Sequence, residues 1–169
     1  MKLPKYFLLC FLVLFACCNS NESRKVFESE KCDAIDTIMF NKKQQSISKS
    51  RKPNSVTDAV KLLDSLADDN FRCAVLKIKE EDLYFNLGLN IRNEWIRHGT
   101  DSIRNQLFYK LRVTSVDYTS GLIIDIYKQY LTNKDVDLAK KYLKDNTDSS
   151  YAMREKEFKA IQKELFLKN

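Results

Sequence analysis

Glycine, proline, histidine and tryptophan are scarce in this chain: its 169 residues include three Gly, two Pro, one His and one Trp. So few Gly and Pro leave little material for the tight turns of an all-β fold. A lone imidazole, His98, has no second His with which to build a zinc site, so no metal or other cofactor is expected. Asp101 and Ser102 lie close to His98 in sequence, but neighbours this near cannot readily reach the in-line geometry of a nucleophilic triad. No segment repeats at a period of about 20–50 residues, which argues against a solenoid.

Positive charge is also missing from the part that folds. The chain has a formal charge of +6, but the excess sits at the two ends. Residues 17–55 hold eight basic against five acidic side chains, residues 133–169 nine against seven, and residues 56–132 ten against eleven. A duplex-binding domain places its positive charge on the surface that meets phosphate. The near-neutral centre therefore argues against nucleic acid as a partner.

What is present is helical periodicity. All three Gly (Gly88, Gly99, Gly121), Trp95 and His98 fall between Leu83 and Leu131, where apolar residues recur three and four apart. This predicts an all-α fold: a small single-domain bundle of about four core helices at residues 55–132, followed by a C-terminal helical extension at 133–169. Ser55, with Asp58 three residues on, reads as the N-cap of the first core helix. Phe71 to Lys79 reads as a connector or short helix. In the next helix Tyr84, Leu87, Gly88, Ile91 and Trp95 form one apolar stripe, in which Gly88 predicts a close backbone approach. Phe85, Leu89, Arg92 and Ile96 form a second stripe with a cation in it, and Asn86, Asn90, Asn93 and Arg97 a polar row. Gly99 reads as the residue just past the helix end. A third helix starts near Thr100 or Asp101. A fourth, Tyr118 to Leu131, capped by Asp117 or Thr119, is apolar over most of its circumference and is taken as central. Two amphipathic stretches follow, Val136 to Leu143 and Ser149 to Leu167.

The N-terminus reads as an address rather than as fold. Lys2 and Lys5 precede ten apolar residues, Tyr6 to Phe15, and Leu14-Phe15-Ala16-Cys17 follows directly. Ten residues span about 15 Å as a helix, half a bilayer core, which supports a signal peptide at residues 1–16 rather than a membrane span. Leu14 to Cys17 resembles the lipobox of bacterial lipoproteins, with Cys17 as the acylated residue. Cys18 fits worse, because Cys17 would then occupy the position before cleavage. The resemblance implies a membrane partner through a lipid anchor and a place in the cell envelope. The absence of Asp after Cys17 implies the outer membrane by analogy with lipoprotein sorting. Residues 17–54 are expected to be a tether and basic linker, since Lys42 to Lys52 contains five basic residues and no acid. After Cys17 and Cys18 the only Cys are Cys32 and Cys73, which an oxidising compartment permits to pair.

Gly88-Leu89-x-x-Arg92-Asn93-x-Trp95, then Ser102, Leu107 and Phe108, then Asp117-x-x-Ser120-x-x-Ile123-Ile124-x-x-Tyr127, resembles a small bacterial domain of unknown function over Asn54 to Thr132. This chain has Ile96-Arg97-His98 where that family has a second aromatic-rich patch. The resemblance implies no activity. It singles out Arg92, Asn93, Trp95 and Ser120 as binding residues or structural pivots. Arg92, on an apolar face, requires a carboxylate: Asp117 or Asp125 if it is structural, a ligand's acid group if it is not. The expected function is a lipid-anchored, non-catalytic envelope module that binds a protein or peptide in an accessory, adaptor or toxin-neutralising role. The alternative is an envelope enzyme or small anionic-ligand binder using Arg92 and Asn93.

Overall fold

A computed structural model describes residues 26–28, 32, 34–113, 115–133, 142 and 151–166. The signal peptide, Cys17, Cys18 and all of the Val136 to Leu143 stretch except Tyr142 lie outside them. The described elements are all helical: α1 (Thr37–Lys49), α2 (Val56–Leu66), α3 (Asp69–Lys77), α4 (Glu80–Asn90), α5 (Asp101–Arg104), α6 (Val116–Thr132) and α7 (Tyr151–Phe166). Two continue into π-helical turns, α4 through Ile91–Arg97 and α5 through Asn105–Lys110. Each of these closes with an i→i+5 bond, His98 N–H to Asn93 O and Leu111 N–H to Gln106 O.

Helix starts follow from side-chain caps that satisfy otherwise orphaned N–H groups. Ser55 Oγ accepts from Asp58 N at 3.0 Å, Asp68 Oδ1 from Phe71 N at 2.8 Å and Thr100 Oγ1 from Ile103 N at 3.4 Å. The cap of α6 is Ser115, whose Oγ accepts from Asp117 N at 3.3 Å. That moves the cap from the expected Asp117 or Thr119 and starts the helix earlier. The helix ends on Asn133 at φ 51°, in the left-handed region that Asn tolerates.

α6 is the centre of the bundle. Thr119 through Tyr127 are buried without interruption, with α2 on one side and α4 and its π-helical turns on the other. The C-terminal helix α7 docks on α2 and on the turns after α5, burying Phe158, Ile161 and Leu165. Gly99 has a plain steric cause: a Cβ there would lie 1.7 Å from the Trp95 carbonyl oxygen.

The largest correction concerns residues 17–54. The expected basic linker is not a linker: Thr37–Lys49 is helix α1, which buries Phe40, Gln44 and Ile47 against α3 and α4. Asp36 caps it, accepting from both Ile38 N and Met39 N at 2.9 Å. Asp36 also exchanges two hydrogen bonds with Asn70, N–H to Oδ1 at 2.8 Å and Nδ2 to the carbonyl at 3.0 Å. Lys42, Gln45 and Lys49, part of what suggested a solvated strip, form the outer face of an amphipathic helix. Cys32 and Cys73 are joined in a disulfide with Cα atoms 5.4 Å apart, so this N-terminal segment is covalently fixed to α3.

Candidate functional site

Of the residues singled out in the sequence, Arg92 and Ser120 lie on the seam between α4 and α6, where the two helices run antiparallel, while Asn93 and Trp95 bond elsewhere. Gly88 makes the seam close: a Cβ there would stand 3.3 Å from Ser120 Oγ. Ser120 is buried and donates to the Asp117 carbonyl at 2.8 Å, so it serves as a seam residue bonded within its own helix. Further along the seam, Gly121 leaves room for two tyrosines, since a Cβ would meet Tyr142 Oη at 3.2 Å and the Tyr84 ring at 3.7 Å.

Those tyrosines flank Asp125, a buried carboxylate. Tyr84 Oη lies 2.7 Å from Asp125 Oδ1 and is also within hydrogen-bonding range of Glu80, so its single proton serves one acceptor at a time. Tyr142 Oη donates to Asp125 Oδ2 at 2.7 Å. Burial holds the Tyr84 phenol protonated, reinforced by its bond to Glu80, and burial with the charge of Asp125 does the same for Tyr142. Sequence reading placed Tyr84 in an apolar stripe and missed this network. Only an Asp on the otherwise apolar α6 hinted at it.

A second polar cluster lies between α2, α3 and α6. Asp64 Oδ1 is 3.3 Å from Arg72 Nε and 3.5 Å from Tyr127 Oη, and Asp64 Oδ2 is 3.5 Å from Tyr130 Oη. Burial, with the adjacent Asp64 charge, raises the Tyr127 pKa.

Arg92 closes the other end of the seam. Its Nη1 lies 2.8 Å from Asp117 Oδ1; the Arg92 side chain is 14% exposed and that of Asp117 75%. Asp117 is thus its carboxylate, and Asp125 is not. Asn93 Oδ1 accepts from Arg97 Nη1 at 3.1 Å. Asn90 reaches α1, donating to Gln44 Oε1 at 3.2 Å. Trp95 is fully buried and its indole N–H donates to Ser50 Oγ at 3.3 Å. Trp95 and Ile96 are buried side by side in the π-helical turns, so Ile96 leaves the second stripe. Phe85 and Leu89 remain outside, 73% and 42% exposed, as does Tyr118 at 66%. His98, Asp101 and Ser102 are all exposed.

Among the described residues, no group of three His, Cys, Asp or Glu side chains is placed to hold a metal ion, and no helix is long and apolar enough to cross a membrane. The site is the surface of an all-α module in which buried polar groups brace helices and an apolar strip faces solvent. Residues 52–131 match the family model of a domain of unknown function, DUF6794. Comparison with curated proteins and with solved structures finds no match.

Proposed function

We propose that this is a lipid-anchored, non-catalytic protein of the cell envelope whose helical domain binds a protein or peptide partner. The observation that carries the binding part is the exposure of Phe85, Leu89 and Tyr118 beside the Arg92–Asp117 ion pair; other exposed large apolar side chains, among them Ile38, Met39, Tyr109 and Met153, lie on other elements. Apolar side chains clustered at a surface mark contact sites more often than catalytic ones. The small-anion alternative is not favoured: Arg92 is spent on Asp117 and Asn93 on Arg97. Support for the anchor comes from the lipobox-like Leu14-Phe15-Ala16-Cys17 and the basic residues before it. Each buried methylene of an acyl chain contributes ~0.8 kcal/mol, so two or three chains make release slow.

Fractionation of cells producing the wild type, Cys17→Ser and Cys18→Ser tests the anchor. The expected result is unprocessed or released Cys17→Ser protein and membrane-bound Cys18→Ser protein, with the wild type in the outer membrane. Equal partitioning of all three would remove the anchor from this reading.

A further inference from the structure

The outer face of α4 carries a strip with a definite chemistry. Glu81 and Asp82 are exposed in the first turn. Phe85 lies one turn on from Glu81, and Leu89 one turn on from Phe85. Cβ atoms at this spacing stand about 5–6 Å apart and present one continuous ridge. One further turn brings Arg92, whose partner Asp117 adjoins the exposed Tyr118 on α6. The strip is therefore apolar and acidic. Among the described residues, Arg92 at the far end of the strip is already paired with Asp117, and Lys79 stands before the acidic turn.

We propose that this strip docks a cationic amphipathic segment of a partner protein, with apolar side chains seated on Phe85, Leu89 and Tyr118 and Lys or Arg side chains set against Glu81 and Asp82. The inference rests on the binding reading above and names the chemistry of its partner. Charge complementarity selects the occupant: an acidic rim attracts a basic segment and speeds its encounter, whereas an anionic lipid surface is repelled by it. Area argues against a second copy of this chain. Aromatic side chains of about 150–250 Å² each, exposed to the extent seen here, offer on the order of 350 Å² in all. A stable dimer buries about 800 Å² on each partner. That smaller area suits a helical peptide anchored at a few positions one turn apart.

The test uses the full chain in phosphatidylcholine nanodiscs, with binding of fluorescent peptides read by anisotropy. The probes are a Leu/Lys peptide of helical amphipathic spacing, a scrambled isomer without an apolar face, and a Leu/Glu counterpart. Empty nanodiscs set the background. Phe85→Ser with Leu89→Ser, and Glu81→Lys with Asp82→Lys, alter only exposed positions, and unchanged urea midpoints verify that they fold. The expected result is saturable binding of the Leu/Lys peptide that rising salt weakens and that each double variant weakens about tenfold or more, with little binding of the other two probes. Peptide binding that both variants leave intact would overturn the strip while leaving the module a peptide binder elsewhere. Absence of binding by every probe would overturn both the strip and the peptide-binding reading, while the anchor stands or falls on Cys17. Concentration-dependent self-association lost in Phe85→Ser with Leu89→Ser would replace the proposal with a second copy of the chain.

Discussion

Arg92 and Asp117 form a pair whose two halves are unequal, and the inequality has a measurable sign. The Arg92 side chain is 14% exposed and that of Asp117 75%, with Nη1 and Oδ1 at 2.8 Å. Asp117→Ala leaves a largely buried cation without its acceptor, and an unsatisfied buried group costs ~1–3 kcal/mol, more when charged. It also removes a negative charge from the first turn of α6, where the helix dipole makes it worth ~0.3–1 kcal/mol. Arg92→Met leaves Asp117 in water and keeps an apolar stem at this position, so it loses only a pair of surface-bridge value, ~0–1 kcal/mol. Asp117→Ala is therefore expected to destabilise by about 2–3 kcal/mol and Arg92→Met by less than ~1 kcal/mol. The double variant should be more stable than Asp117→Ala alone, because no orphaned cation remains. Urea unfolding followed by circular dichroism and Trp95 fluorescence measures all three. A larger loss from Arg92→Met than from Asp117→Ala would refute the reasoning and return Arg92 to the list of groups held ready for a ligand.

The disulfide and the buried phenols give two further tests. Cys32→Ser with Cys73→Ser opens a loop of sequence separation 41, worth about 4 kcal/mol of unfolded-state chain entropy. The urea midpoint should fall accordingly while helix content holds, since the Asp36–Asn70 bonds still clamp α1. A loss under ~1 kcal/mol on that scale would count against the bridge as a main support. Tyr84, Tyr127 and Tyr142 have folded-state pKa values raised by burial. The stability they contribute is thus fully present below the ordinary tyrosine value of about 10 and is lost as pH climbs above it. Alkaline titration by ultraviolet absorbance should show these three phenols ionising only with the loss of helical signal. Tyr84→Phe with Tyr142→Phe should remove two of these late phenols, and ionisation of all three in the folded state would contradict this.

The legible parts of the fold are those in which one residue fixes one local event. Ser55 and Thr100 announce their helices because a short side-chain oxygen is what an orphaned N–H needs. The central helix shows itself because it is apolar nearly all round, and Gly88 marks a close approach because a Cβ there would crowd Ser120 Oγ at 3.3 Å. Helix α1 was hidden because it buries one narrow stripe, Phe40, Gln44 and Ile47, one member of which is polar, beneath a surface rich in Lys and Gln. The π-helical turns leave no sequence pattern, so regular helical spacing puts Ile96 on the wrong face. The need of Arg92 for a carboxylate is legible from its place on an apolar face. The choice between Asp117 and Asp125 depends on how α6 is rotated and shifted against α4, which periodicity along one chain does not encode. Tyr84, Asp125 and Tyr142 were missed because their partnership spans three segments.

The same contacts bear on where the folding unit ends. The family match stops at residues 52 and 131, yet the core does not. Trp95 donates its indole proton to Ser50, and the Phe71 ring packs tilted against Phe40 with centroids 5.4 Å apart, both partners lying before the matched segment. On the other side Gln106 accepts from Val56 N at 2.8 Å and donates to Glu157 at 3.0 Å, linking the start of α2 to a helix beyond residue 131. Thr57 donates to Glu164 at 3.1 Å. A chain cut to residues 52–131 would expose the apolar faces that α1 and α7 cover and leave a buried indole N–H and part of the half-buried Gln106 amide without partners. Each unmet group costs ~1–3 kcal/mol, against the 5–15 kcal/mol by which a whole domain is held. The matched segment is thus the centre of a larger cooperative unit in this protein, and α1 and α7 complete its core.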